Sequence, residues 1–153
     1  MTAPNHALTG ALIGLTVTNP WLALPVAFLS HFVCDAIPHY DMKDTSEAQL
    51  IGSKRFVTWY ILVPGAVCAL IVAVLAAARP AHWLLAAICA FVAASPDLFW
   101  APRFLYVRRT GKDRPLNAFL RFHAGLQWLT GPRLIWVEAV WFVVFAGLLV
   151  AHL

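Results

Sequence analysis

The chain has 153 residues, 61% hydrophobic and 12% charged, with a formal net charge of +4 at pH 7. A soluble domain carries about 25% charged residues. The shortfall, with apolar residues in long runs rather than at amphipathic spacing, excludes an ordinary soluble domain and points to a bilayer as solvent. The partners to expect are membrane lipids, anionic ones included, and no nucleic acid.

Read from the start, no Lys or Arg precedes Lys43, so no positive n-region of a secretory signal is present. Residues 7–18 and 21–36 read as two short apolar helices separated by the turn dipeptide Asn19-Pro20. At roughly 18 and 24 Å they fall short of a hydrocarbon core of about 30 Å. They form a tight hairpin that either spans a thinned region or is partly re-entrant. Asn5 is a candidate N-cap for the first helix, beside His6.

The second helix ends on His31-Phe-Val-Cys-Asp35-Ala-Ile-Pro38-His39. His31 and Asp35 are one turn apart on one face, about 5–6 Å between Cβ atoms. Pro38 disfavours helix at Ile37, so His39 begins the loop and is free to fold back. An imidazole and a carboxylate so placed can share a divalent metal, or the carboxylate can orient the imidazole. A plain hydrogen bond closing a buried helix end is the other reading. Ionisable groups near a membrane helix end favour function.

Residues 56–78 contain no ionisable group except Tyr60, residues 81–100 read as cleanly until Asp97, and residues 134–151 are interrupted only by Glu138. Each is near the roughly 20 residues a spanning helix needs. Ser95-Pro96-Asp97 predicts a kinked or restarted helix, with Ser95 as its cap and Asp97 in its first turn. Residues 116–129 form an amphipathic stretch with Leu116, Phe119, Leu120, His123, Leu126 and Gln127 on one face. Glu138, following Arg133, suits a ligand, a general acid/base or an ion-pair partner.

The fold class is thus an all-α integral membrane protein. It is one domain over residues 1–153, a compact bundle of about five transmembrane helices plus an amphipathic helix on the cytoplasmic side. Every Lys and Arg except Arg79 falls in residues 37–55 or 101–133. That excess makes this face, and the N-terminus with it, cytoplasmic, in a multi-pass inner (plasma) membrane protein. All 7 carboxylates, among them Asp35, Asp41, Asp44, Glu47 and Asp113, lie at or near the same face. The 3 cysteines, Cys34, Cys68 and Cys89, sit singly in apolar helices and read as small buried hydrophobes.

The candidate metal ligands are His6, His31, Asp35, His39, Asp97 and His123. A mixed imidazole and carboxylate set suits Zn²⁺, Mn²⁺ or Fe²⁺, with Zn or Mn preferred here, as one ion or two. Glu138 is the candidate catalytic acid/base. Arg103, Arg108, Arg109 and Gln127 are candidates for binding substrate, the arginines by holding an anionic headgroup.

An N-terminal histidine, then His31-x3-Asp35-x2-Pro38-His39, then Pro96-Asp97, in a small multispanning chain resembles the membrane-bound metal-dependent hydrolases of the LexA-regulated inner-membrane type. The resemblance covers motif positions rather than continuous sequence, and implies metal-dependent hydrolysis at the inner membrane. Here Leu98-Phe99 follows Asp97, where that family has a run of aspartates and histidine. The His-x3-Asp helix is similar, more distantly, to that of zinc-dependent phospholipases C. No His-Glu-x-x-His helix, Gly-x-Ser-x-Gly elbow, Pro-Ser-Gly-His element or phosphate-binding glycine loop is present. The expected function is a membrane-embedded metal-dependent hydrolase acting on a lipid phosphoester at the cytoplasmic interface. The alternative is a non-catalytic membrane protein, either a metal-stabilised scaffold or a metal- or proton-coupled carrier.

Overall fold

Local chemistry sets the helix ends. In the computed structural model, which describes residues 1–41, 51 and 53–153, α1 spans Ala3–Thr16 and α2 spans Pro20–Ala36. Asn19 caps α2 by accepting the Trp21 N–H at 3.0 Å, and Pro20 takes the first helical position, where a missing N–H costs nothing. α2 stops at Ala36, two residues ahead of Pro38. Among the described residues the longer helices that follow are α3 (Val57–Ala78), α4 (Trp83–Thr110), α5 (Ala118–Leu126) and α6 (Pro132–Val150). The described residues contain no strand, only one parallel bridge between His39 and Thr130. Lys43, Asp44 and Glu47, which the sequence assigns to the cytoplasmic side, lie outside the described residues.

α3, α4 and α6 are long and apolar enough to cross a membrane, and α2 is apolar but shorter. α1 differs from all of them. It is buried without a break from Pro4 to Leu12 and packs against α2, α3, α4 and α6. It therefore lies inside the bundle, while still pairing with α2 across the Asn19-Pro20 turn as the sequence predicts. Asn5 does not cap it: the N-cap position is Thr2, and Asn5 sits in the first turn.

The closeness of α1 to α4 depends on Gly10 and Gly14. A Cβ at Gly10 would lie 2.2 Å from the Cys89 carbonyl oxygen, and one at Gly14 would lie 2.5 Å from the Ala86 Cα. Small residues four apart let two backbones touch, which is how helices associate where no hydrophobic effect drives them together. Ala86, Cys89, Ala90 and Ala93 supply the buried small surface on α4.

α4 does not restart at Pro96. Residues Ser95–Trp100 form a 3-10 stretch within one continuous helix, and the Ser95 hydroxyl donates to the Val92 carbonyl at 2.8 Å instead of capping. The tighter winding absorbs the donor that Pro96 lacks. With 28 residues, α4 rises about 42 Å, beyond a core of about 30 Å. Arg103, Arg108 and Arg109 therefore sit on a helical extension, ended by Gly111 at φ 66°. α5 begins where Asn117 accepts the Leu120 N–H at 2.8 Å, and turns Leu120 and His123 inward.

Candidate metal centre

Asp35 is the hub of a polar group buried where α1, α2, α4 and α5 meet. Its carboxylate is 1% exposed and both oxygens are occupied. Oδ1 pairs with the Met1 α-amino group and with His6 Nε2 at 3.1 Å. Oδ2 lies 2.7 Å from His123 Nε2 and 3.3 Å from His31 Nε2, and accepts from the Gln127 amide at 3.1 Å. An ionised carboxylate so deep in protein is tolerated only with such partners.

Each ring is oriented by its other nitrogen. His31 Nδ1 donates to the Ala93 carbonyl at 2.8 Å, so a neutral His31 turns a lone pair on Nε2 toward the cluster. His123 Nδ1 accepts the Trp100 indole N–H at 3.2 Å, which leaves the proton of the neutral ring on Nε2. The two Nε2 atoms are 3.0 Å apart, so His123 donates toward both His31 and Asp35.

Asp97, on the 3-10 turn, closes the group. Its Oδ1 is 3.7 Å from His31 Nε2 and 3.9 Å from His123 Nε2, and its side chain is 38% exposed. One donor atom from each of His31, Asp35, Asp97 and His123 lies within 4.8 Å of the others. A tetrahedral Zn²⁺ with bonds of about 2.0–2.2 Å has ligand atoms about 3.4 Å apart. The separations among them, from 2.7 to 3.9 Å, straddle that value, so these residues could hold one ion of that size. Three of the four are buried and the fourth opens to the surface.

The other sequence candidates are placed differently. His6 touches Asp35 on the oxygen opposite this group, and its ring stacks on that of His31 at 3.9 Å. Its Nε2 also faces the Met1 carbonyl at 3.1 Å, so Nε2 donates. His39 donates through Nδ1 to the Ile37 carbonyl at 2.7 Å and stands outside the four-atom group. Burial holds its pKa below the ordinary histidine value. Its backbone stitches α2 to the chain after α5, through Leu129 at 3.3 Å and Gly131 at 3.2 Å.

Glu138 is buried but also stands outside this group. Its carboxylate accepts from the Thr2 N–H and hydroxyl, the latter at 2.7 Å, and from the Asn5 amide at 2.6 Å. It anchors the start of α1. Gln127 reaches Asp35, Arg103 is buried on the α4 extension, and Arg108 and Arg109 are exposed. Trp100 and the Ala93 carbonyl were missed. Neither has a local sequence signal, because their role comes only from where α4 passes His31 and His123.

Comparison with known proteins gives no family model, no curated protein and no solved structure that matches the chain.

Proposed function

We propose that the chain is a membrane-embedded, metal-dependent hydrolase acting at the cytoplasmic face on a lipid phosphoester. The observation that carries this reading is the four-residue group His31, Asp35, Asp97 and His123, buried on three sides and open at Asp97. A divalent ion held there, Zn²⁺ or Mn²⁺, would supply Lewis acidity to a water and to a phosphoryl oxygen. His31 is preset as a ligand by Ala93. Asp35 balances the charge and fixes both rings. Asp97, the exposed member, turns Oδ1 to the group and has a second oxygen to accept the proton of the attacking water. Helices long enough to cross a bilayer bring this group to the end where the arginines lie, which suits an amphiphilic substrate with an anionic head.

Metal content of purified protein, with and without Zn²⁺ or Mn²⁺ reconstitution, tests the reading, alongside hydrolysis of a panel of lipid phosphoesters. One ion per chain, lost in Asp97→Asn and His123→Gln together with turnover, is the expected result. A metal-free protein after reconstitution would sink it. A second reading is favoured by the hydrogen bond from Trp100 to His123, which helps the cluster close on itself without an ion. On that reading the group is a structural network in a non-catalytic membrane protein, and metal-loaded protein would turn over no phosphoester.

A further inference from the structure

A second polar feature lies one helical turn from the cluster. The α4 extension and the start of α5 enclose a cavity of about 180 Å³, with Arg103 and Arg114 in its wall and Phe99, Leu116 and Leu120 as apolar lining. Among the described residues, none that lines it is acidic. Arg103 is only 7% exposed, and one carboxylate near it, Asp113, lies 3.9 Å away and is itself 71% exposed. Arg114, from the chain ahead of α5, also lines the cavity and lies over the Tyr106 ring at 5.6 Å. Two guanidinium-bearing side chains in the wall of a small concavity suit a phosphate, which such groups bind bidentately and with charge assistance.

The cavity and the metal group share walls. Phe99 belongs to the 3-10 turn that carries Asp97, and Leu120 is three residues before His123 on the buried face of α5. Three helical residues rise about 4.5 Å, so an anion in the cavity sits within a headgroup's reach of the cluster. Arg108 and Arg109, by contrast, are exposed and absent from the lining.

We propose that the cavity walled by Arg103 and Arg114 is a phosphate-binding subsite, taking a phosphate monoester beside the metal group. It deepens the hydrolase reading and rests on it for its catalytic purpose, but binding at the subsite needs no metal. The lining splits the ligand: arginines for the phosphate, and Phe99, Leu116 and Leu120 for the apolar part next to it. The source of the phosphate is a lipid headgroup or the free anion, and the two differ in what the apolar wall adds.

The test is calorimetric titration of the full chain in neutral detergent with two probes, dihexanoyl phosphatidic acid and inorganic phosphate. Metal content is measured on the same samples. Arg114→Gln alters an exposed residue and leaves packing intact. It should weaken binding about tenfold, the worth of a charged hydrogen bond, while Arg108→Gln/Arg109→Gln changes it by less than about twofold. Arg103→Gln, which alters a buried residue, should abolish binding. Tighter binding of the lipid identifies a headgroup, and equal binding identifies the free anion; both support the subsite. Binding of neither probe, or unchanged binding by Arg114→Gln, overturns it. Normal metal content with no phosphate binding would defeat the subsite alone. Arginine-dependent binding in a metal-free protein would defeat the hydrolase reading alone.

Discussion

The Trp100 indole N–H points at Nδ1 of His123 from 3.2 Å, and it can only donate. A histidine that accepts there carries its neutral-state proton on Nε2, the nitrogen that faces Asp35 and His31. Metal binding at Nε2 must displace that proton. Trp100 thus holds the cluster in its metal-free hydrogen-bonded form.

Trp100→Phe should therefore bind metal more tightly than the wild type, by about tenfold, the value of one hydrogen bond to a buried group. Competition with a chelator measures this. Nitrogen-15 shifts of His123 give the cause directly, with the proton moving from Nε2 to Nδ1 in the variant. An unchanged tautomer would remove Trp100 from the account.

Asp97 and Asp35 should respond in opposite ways. Asp35→Ala strands His6, His31, His123 and Gln127 around an empty centre, and removing one partner of such a buried group costs about 3–5 kcal/mol. Asp97→Ala removes a half-exposed side chain and should cost less than about 1 kcal/mol in stability. Its metal affinity should nonetheless fall by more than the about 10–100-fold typical of losing an outer-shell partner. Thermal unfolding in detergent and metal titration separate the two.

Glu138 distinguishes an anchor from a catalyst. Its oxygens hold Thr2 and Asn5, so Glu138→Ala should destabilise the protein by about 2–4 kcal/mol through unsatisfied buried donors. Glu138→Gln keeps one acceptor oxygen and should recover much of that stability, with turnover following the folded fraction. Loss of turnover at full stability would restore Glu138 as the acid/base that the sequence suggests.

At the contact between α1 and α4, Gly10→Ala or Gly14→Ala should destabilise by about 1–3 kcal/mol, the usual cost of overpacking. Gly65→Ala is the control, since a Cβ there meets nothing within 4 Å. Equal melting temperatures for all three would mean that the helices do not touch in the membrane.

The readable parts of this molecule are those fixed by neighbours in the chain. Asn19-Pro20 and Pro38 set the ends of α2 through backbone chemistry alone, and the four-residue spacing put His31 and Asp35 on one face. The amphipathic period of α5 turned His123 inward. What local pattern does not encode is which helix is surrounded. Hydropathy treats α1 and α2 alike, and the difference arises because Gly10 and Gly14 admit α4 on one side while α6 brings Glu138 to the N-terminal end. For the same reason Ser95 was misread as a cap and Trp100 was passed over. Both depend on the path of α4, which continues through Pro96 as a 3-10 turn.

The position of α1 also bears on how the molecule is made. α1 precedes its partners α3, α4 and α6 in the chain, and His123 on α5 comes after α4. Until they are made, α1 has only α2 to pack against, and the face that carries its glycines lacks α4, in a chain that domain-by-domain folding cannot rescue. The start of that helix is therefore anchored only once translation has passed residue 138. A chain stalled before that point would leave Thr2 and Asn5 without the carboxylate that holds them.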